Sequence, residues 1–462
     1  SLRFRSGAGA YLSRTFGTPT AQNTWTLSFW VKQAGSISTA AAGGVFMRKV
    51  DTQNFESIAF DPNAGSDTNK LGSFTRTTSG TNNRRASSDA VYRDPTAWHN
   101  VVVAKSVSQS SSAPTFYVNG VSISVPTRSS AGTPQDFINS AAAHIIGQDA
   151  QSTTTSDFYL ARICFVDGTA LTPSSFGYLN TEINEWVSKS QSAVKAVVDA
   201  GGTNSFMLDF DDATSLTTLG YDKSSKGNNW TLNNFSLTAG TSYDRMLDVP
   251  GNSYCTLNPL FHGSSSAPVP TNGNLNLSAG GVGVNVVYHG THGVTSGKWY
   301  FEITAGHIAT SVGWATGAMV VGSNYTATSS GAFGRSYYGN TGQKYDNGTN
   351  SAYGATYTTN DVIGVALDLD AGKLYFSKNG TFQNSGDPIA GTGFAFSGLS
   401  GQFLPIFGAA DQYTPGSINF GQAPLHASAT YDSASGGYFR YTPPSGYKAL
   451  CQRNMPDPAI LN

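Results

Sequence analysis

Charge is scarce in this chain. Of 462 residues only 12% are Asp, Glu, Lys or Arg, about half the usual ~25%. So little charge argues against a disordered chain, which depends on net charge to stay expanded. It also argues against long surface helices, whose wet face carries Lys and Glu. Glutamate occurs four times, at Glu56, Glu182, Glu185 and Glu302. Lys plus Arg is 27 and Asp plus Glu is 28, leaving a net charge of −1. With no basic excess to neutralise phosphates, no nucleic-acid partner is expected. Three cysteines, Cys164, Cys255 and Cys451, are too few and too far apart for a disulfide framework or a zinc site, and buried thiols are expected. No signal region opens the sequence at Ser1-Leu2-Arg3-Phe4-Arg5, and no window reaches 18 unbroken apolar residues. Membrane insertion is therefore not expected, and the reading is of a protein made in a cytoplasm. The Asn-x-Ser/Thr triplets at Asn229, Asn324, Asn347 and Asn379 are then incidental. Heptads, collagen triplets and β-helix repeats, the usual material of a fibre shaft, are missing.

What fills the chain is Gly (52), Tyr (22), Ser, Thr and Asn, the vocabulary of short strands joined by tight turns. In Trp25-Thr26-Leu27-Ser28-Phe29-Trp30-Val31-Lys32 the apolar Trp25, Leu27, Phe29 and Val31 alternate with Thr26, Ser28 and Lys32. A period of two over this length predicts a half-buried strand. Similar segments lie at 44–50, 56–60, 71–75, 98–103, 144–147 and 158–166. Thr115-Phe116-Tyr117-Val118-Asn119-Gly120-Val121-Ser122-Ile123 places two alternating runs around Asn-Gly, a strong hairpin signal.

The texture changes at about residue 173. Residues 188–200 read as a short helix, with Ser188 or Ser190 as N-cap and Gly201-Gly202 as the stop. Phe206-Met207-Leu208-Asp209-Phe210 returns to strand alternation. Residues 222–270, rich in Asn, Ser, Gly and Pro with few regular runs, read as a long packed connector, with Cys255-Thr256-Leu257-Asn258-Pro259-Leu260 as an anchoring point. All-β texture then resumes at 297–303, 311–315 and 362–368, with a second Asn-Gly hairpin over 373–382 and strands at 403–407 and 417–421. The expected fold class is all-β: two antiparallel β-sandwich domains, 1–172 and 271–462, joined by a connector over 173–270.

Trp25-Thr26-Leu27-Ser28-Phe29-Trp30-Val31, Trp98-His99-Asn100-Val101-Val102-Val103, Phe116-Tyr117-Val118-Asn119-Gly120 and Asp157-Phe158-Tyr159-Leu160-Ala161-Arg162 resemble the laminin-G-like, concanavalin A-like jelly roll. Gly297-Lys298-Trp299-Tyr300-Phe301-Glu302-Ile303 and Asp361-Val362-Ile363-Gly364-Val365-Ala366-Leu367-Asp368, followed by Leu374-Tyr375-Phe376-Ser377-Lys378-Asn379-Gly380, resemble a SPRY domain. Asn360-Asp361 stands where that family more usually has Gly-Asp. The two modules with the connector Gly227-Asn228-Asn229-Trp230-Thr231 resemble structural proteins of tailed bacteriophages. That resemblance implies a virion-exterior location, other virion proteins as partners, and assembly as a homo-oligomer such as a trimer.

Little in the sequence offers reaction chemistry. A sandwich glycosidase needs two facing carboxyls, commonly in a Glu-x-Asp-x-x-Glu run, and none exists. No Gly-x-Ser-x-Gly elbow or Gly-rich phosphate loop is present, so no enzyme and no cofactor are expected. Asp209-Phe210-Asp211-Asp212 is the densest acidic cluster. Calcium ligation there is weighed against a capped turn after a strand, and the turn is favoured. His289 and His292 read as solvated loop residues rather than metal ligands. The remaining signal is residues 331–357, where Tyr337, Tyr338, Tyr345, Tyr353 and Tyr357 stand among Gly, Asn and Ser. Rigid rings with small polar groups resemble paratope chemistry, and Tyr337, Tyr338, Tyr345, Asp346, Asn347 and Tyr353 are the candidate ligand-binding residues. The alternative is that these tyrosines are strand residues packing on neighbours, or contacts to an adjacent subunit. The functional expectation is a non-enzymatic phage surface protein binding host-surface carbohydrate or a receptor. A capsid decoration or tail adaptor making only virus–virus contacts is the alternative.

Overall fold

The computed structural model describes residues 1–35, 43–52, 54–60, 69–77, 82–106, 113–132, 136–148, 155, 157–264, 266–282, 284–317 and 334–456. The chain divides into two compact units, Ser1–Leu237 and Thr238–Asn462.

In the first unit two antiparallel sheets face each other. One runs Leu2–Phe4, Phe158–Asp167, Trp25–Gln33, His99–Lys105, Thr115–Val118, Val121–Ile123, with Phe206–Leu208 also paired to Phe158–Asp167. The other runs Thr127–Ala131, Asn82–Ser87, Leu71–Thr77, Phe55–Phe60, Gly43–Lys49, Ala143–Ile146, Tyr11–Thr15, Thr231–Asn233. Trp25, Leu27, Phe29 and Val31 point into the core between them, as the alternation requires. The Asn-Gly hairpin forms with Asn119 at φ 47° and Gly120 at φ 80°, the left-handed pair a two-residue turn needs. Gly120 is doubly constrained, because a Cβ there would lie 2.3 Å from the Trp186 ring.

The strand Trp25–Gln33 departs from expectation. It is not half-buried: Thr26, Ser28, Trp30 and Lys32 are also sealed from water. A second layer lies on their face of the sheet, where Phe176, Val194 and Val198 pack over Val102, Cys164, Val166 and Met207. Thr26 is satisfied there by backbone, its hydroxyl 2.8 Å from Thr169 O and accepting from Leu171 N at 2.8 Å. The helix supplying Val194 and Val198, Gln191–Asp199, is capped by Ser190, whose hydroxyl accepts from Ala193 N. Of the two candidate caps Ser190 is therefore the one used.

The stretch 173–270 is packed throughout the first of its two parts, residues 173–237, which belong to the first unit. Phe206, Leu208, Phe210, Leu219, Trp230 and Phe235 all belong to the core of the first unit, with Trp230 4.9 Å from Phe206. Asx turns stiffen the path: Asp222 accepts from Met207 N, Ser224 N and Asn228 N at 2.8–2.9 Å. Polar composition here reflects turns that carry apolar anchors inward, which is why it reads as linker in sequence. Beyond residue 238 the rest belongs to the second unit, where Leu257–His262 pairs with Val286–Gly290.

The second unit is again two sheets. One runs Leu257–His262, Val286–Gly290, Leu404–Ala409, Thr310–Ala315, Gly334–Tyr338, Gln343–Asp346, Thr349–Ala352. The other runs Asn276–Leu277, Gly416–Asn419, Lys298–Ala305, Val362–Asp368, Lys373–Lys378, Thr381–Phe382. Phe301 joins the layers, 5.5 Å from Trp314 and 5.3 Å from Phe420. The expected hairpin forms at Asn379 (φ 50°) and Gly380 (φ 84°), and Asn347-Gly348 (φ 48° and 87°) makes another that the sequence reading did not single out.

The domain boundary has a direct test. A fragment ending at residue 172 loses six core side chains, and each large apolar loss costs about 3–5 kcal/mol against a typical stability of about 5–15 kcal/mol. The 1–172 fragment is expected to show no cooperative thermal transition by circular dichroism, whereas 1–237 melts cooperatively.

Candidate functional site

Most of the tyrosine-rich stretch is sheet, not loop. Residues 334–352 form a three-stranded meander, Gly334–Tyr338, Gln343–Asp346 and Thr349–Ala352; residues 331–333, like Asn324, fall outside the described residues. Alternation within Gly334–Tyr338 sends neighbouring rings to opposite faces. Tyr337 is fully buried, 5.4 Å from Phe376, 5.5 Å from Tyr353 and 5.0 Å from Tyr357. Its hydroxyl donates to Ala355 O. Tyr353 is buried as well, its hydroxyl accepting from Phe376 N at 3.2 Å. Tyr345 is buried on the other face, meeting Tyr338 edge-on at 6.0 Å. Burial raises the phenol pKa of both Tyr337 and Tyr353. Tyr337, Tyr345 and Tyr353 are thus corrected from contact rings to packing residues, because a strand with polar turns at each end looks like a polar loop in sequence.

Asp346 and Asn347 are exposed, but each is engaged in holding its turn. Arg335 Nε lies 3.1 Å from Asp346 Oδ1, and Arg335 Nη1 donates to Asn347 Oδ1 at 3.1 Å. Register places Arg335 opposite Asp346, three residues along the strand from Tyr338, a separation of roughly 10 Å. The six candidates therefore do not converge on one surface; only half-buried Tyr338 keeps an accessible ring.

Something else gathers beside Tyr338. The loops 306–309, 339–342 and 410–415 meet at this end of the sheets, brought together by the pairings Ser311 with Tyr338 and Thr310 with Ala409. His307 stacks on Tyr413 with ring centroids 4.0 Å apart and planes 3° apart. Its Nδ1 accepts from Ala309 N at 3.1 Å, which fixes the ring and leaves Nε2 as the protonated nitrogen of the neutral form. Tyr413 is 37% exposed. Tyr338, its pKa raised first by burial, is near enough for the Tyr413 phenol to raise it further, and Asn340 is within hydrogen-bonding reach. This platform of two rings, an imidazole and an amide was not found from sequence, since His307 and Tyr413 lie more than 100 residues apart in unremarkable polar segments.

The acidic and histidine candidates are structural. Asp209 pairs with Arg162 at 2.9 Å, Asp211 with Lys223 at 2.7 Å, and Asp212 caps Thr214 N at 3.1 Å. Their carboxylates turn to three different partners, with Asp212 capping a backbone amide. Among the described residues no group of three or more His, Cys, Asp or Glu could hold a metal ion. His289 is not a solvated loop residue. It lies in the strand Val286–Gly290, fully buried and stacked 4.1 Å from Phe261, and burial pushes its pKa down to about 4. His292 Nδ1 lies 3.0 Å from Thr291 Oγ1. Of the glutamates, Glu56 and Glu302 are buried, while Glu182 and Glu185 are exposed on the 177–188 hairpin.

Residues 6–175 match the concanavalin A-like lectin/glucanases superfamily, and residues 298–423 match the SPRY domain. The chain carries a concanavalin A-like domain followed by a SPRY domain. The chain is similar to part of an ATP-dependent RNA helicase DDX1 from Xenopus laevis, 37% identical over 97 residues, covering 20% of this chain and 12% of that protein. It is also similar to part of Ran-binding protein 9 from Xenopus tropicalis, 34% identical over 93 residues, covering 19% of this chain and 15% of that protein. The chain therefore spans well under a fifth of the length of these relatives. Among solved structures it is similar to the SPRY domain of human HERC1, at 19% identity and TM-score 0.25, covering 30% of this chain and 84% of that one. A second human SPRY domain is similar at 13% identity and TM-score 0.21, covering 30% and 91%.

The two tyrosines side by side separate packing from recognition. Tyr337→Ala is expected to destabilise the second unit by about 3–5 kcal/mol, whereas Tyr338→Ala costs about 1 kcal/mol or less. Chemical denaturation of the two variants checks this, and equal losses would remove Tyr338 from the candidate surface.

Proposed function

We propose that this chain is a non-enzymatic recognition protein whose SPRY unit binds its ligand on the loop platform of His307, Tyr338, Asn340 and Tyr413. The observation that carries this reading is the parallel His307–Tyr413 stack beside half-buried Tyr338, on three converging loops. Rings held rigid by stacking offer contact area at little entropic cost, and neighbouring amides supply adaptable hydrogen bonds. Such faces suit the apolar side of a sugar ring, so the ligand class proposed is carbohydrate. The setting proposed is the exterior of a phage particle, with host-surface glycan as ligand, other virion proteins as neighbours, and a homo-oligomeric, trimeric assembly. A surface wetted by hydroxyl and amide groups rather than by charge supports close packing of copies.

Against an enzymatic role stand the glutamates: two are buried among hydrogen-bond donors and two sit on one exposed hairpin. That hairpin favours a second reading, capsid decoration or tail adaptor, for the first unit. Tyr178 and Leu179 are each 51% exposed and Ile183 46% exposed on it, apolar side chains left open to a protein neighbour.

The full-length chain on a glycan array and in host-cell adsorption tests the first reading. Tyr338→Ala and Tyr413→Ala are expected to lower binding at least tenfold with unchanged melting temperature. Absence of wild-type binding, together with co-sedimentation on bare shells that Leu179→Ser abolishes, would instead establish the decoration role.

A further inference from the structure

Residues 425–456 lie beyond the stretch matched to the SPRY family, yet they are built onto it. They cover the face of the Lys298–Ala305 sheet that points away from Trp314. Phe439 meets Tyr300 edge-on at 5.0 Å, and Lys448–Ala449 pairs in parallel with Trp299 and Tyr300. Asn419 Nδ2 donates to Tyr438 O at 2.8 Å, and Tyr254 donates to Gly436 O at 2.6 Å.

At the centre of this contact is Glu302, 3% exposed. Its Oε2 accepts from Arg440 N at 2.9 Å; its Oε1 accepts from Tyr441 N at 2.9 Å and from the Tyr300 hydroxyl at 3.0 Å. Among the described residues no side-chain cation is hydrogen-bonded to this carboxylate; the Arg440 guanidinium turns to His426 Nε2 and acts on Glu302 only through its charge. Glu302, His426 and Arg440 line one small cleft with Thr304, Ser417 and Asn419. On the same face stand Ser377 across Gly364, Tyr375 across Ala366, and Lys298, Asp368 and Lys373 at the next register step, with Tyr254 and Tyr447 packed against it. A Cβ at Gly364 would come within 2.5 Å of both the Tyr300 and Ser377 hydroxyls.

We propose that residues 426–441 form a latch over this sheet, gripped by the Glu302 carboxyl and steadied against pH by His426 in the same cleft. Tyr300 allows the grip in either protonation state. Its hydroxyl donates to the ionised carboxylate, or turns to Ser377 and accepts from the neutral acid, while the two backbone N–H groups stay bonded throughout.

The signs oppose each other. Burial raises Glu302 to about 7, against the pull of the backbone donors. Its contribution to holding the latch is complete below the ordinary carboxyl pKa and fades as pH rises to about 7. His426 is lowered, first by burial and then by Arg440. Its contribution is complete above the ordinary imidazole pKa and fades as pH falls. The two changes run in opposite directions with pH, so His426 offsets part of what Glu302 loses.

Amide hydrogen exchange of residues 438–441 in the full-length chain, corrected for intrinsic rates, tests this between pH 5 and 8. The wild-type opening constant is expected to rise less steeply with pH than that of His426→Asn. In His426→Asn it is expected to rise with pH, at most about tenfold per unit, levelling near pH 7. In Glu302→Gln it is expected to rise as pH falls. Identical profiles in wild type and both variants would overturn the latch. Should Glu302→Gln fail to fold, His426→Asn decides alone, a profile matching wild type counting against the proposal. In Tyr300→Phe, which loses a donor to the ionised form, the levelling point is expected to move above pH 7, and an unmoved point would count against the proton role of Tyr300.

Discussion

A β-sheet with apolar residues on both faces must be covered twice, and this constraint shapes both units. The partner sheet of a sandwich covers one face only. In the first unit the second cover is the helix Gln191–Asp199 and its approaches, seated over Cys164, Val166 and Met207. In the second it is the C-terminal segment, seated over Tyr300, Ala366 and Tyr375. Burying apolar area yields about 25 cal/mol per Å², so a sheet whose second cover is removed gives up a large part of what holds it. The compact units consequently extend beyond the strands that define the two matched families, to residue 237 in one and through the C-terminal segment in the other.

Scarcity of charge gives each buried ion unusual weight. In the first unit Glu56, Thr75 and Arg84 stand in register across three strands. Asp136 is held at 3.0 Å by both Arg84 and Lys105. Glu56 turns its other oxygen to the backbone N–H groups of Phe137 and Ile138 at 2.6 and 2.8 Å. Burial raises Glu56 and lowers Lys105, each partly offset by its partners. Such a network is weak evidence of stability, since desolvation offsets attraction. What it does is fix where the chain after residue 136 enters the sandwich. Glu302 does comparable work in the second unit with two backbone N–H groups and the Tyr300 hydroxyl.

The aromatic residues divide by the same physics. Tyr337 is core because strand alternation points it inward, Tyr353 and Tyr357 pack against it from the segment after the meander, and each hydroxyl finds a backbone group. Tyr338, one residue along, is turned the other way and remains partly wet. A recognition surface arises where such leftover rings meet rings from distant loops, as His307 and Tyr413 do, and not where tyrosines are dense in sequence.

Alternation and Asn-Gly turns were local signals, so the all-β class, both expected hairpins, the helix cap and most strands were legible from residue order. Low charge and the missing glutamate pairs likewise argued for recognition over catalysis without any coordinates. What residue order could not reveal was which polar segments carry anchors. Trp230 in an Asn-rich stretch, Glu302 awaiting two N–H groups from nearly 140 residues away, and the His307–Tyr413 stack each depend on where remote chain returns. Periodicity reports the direction of a side chain relative to its own strand. Only the packed fold supplies the partner on the far side, and that partner decides whether a ring or a carboxyl is core, latch or binding surface.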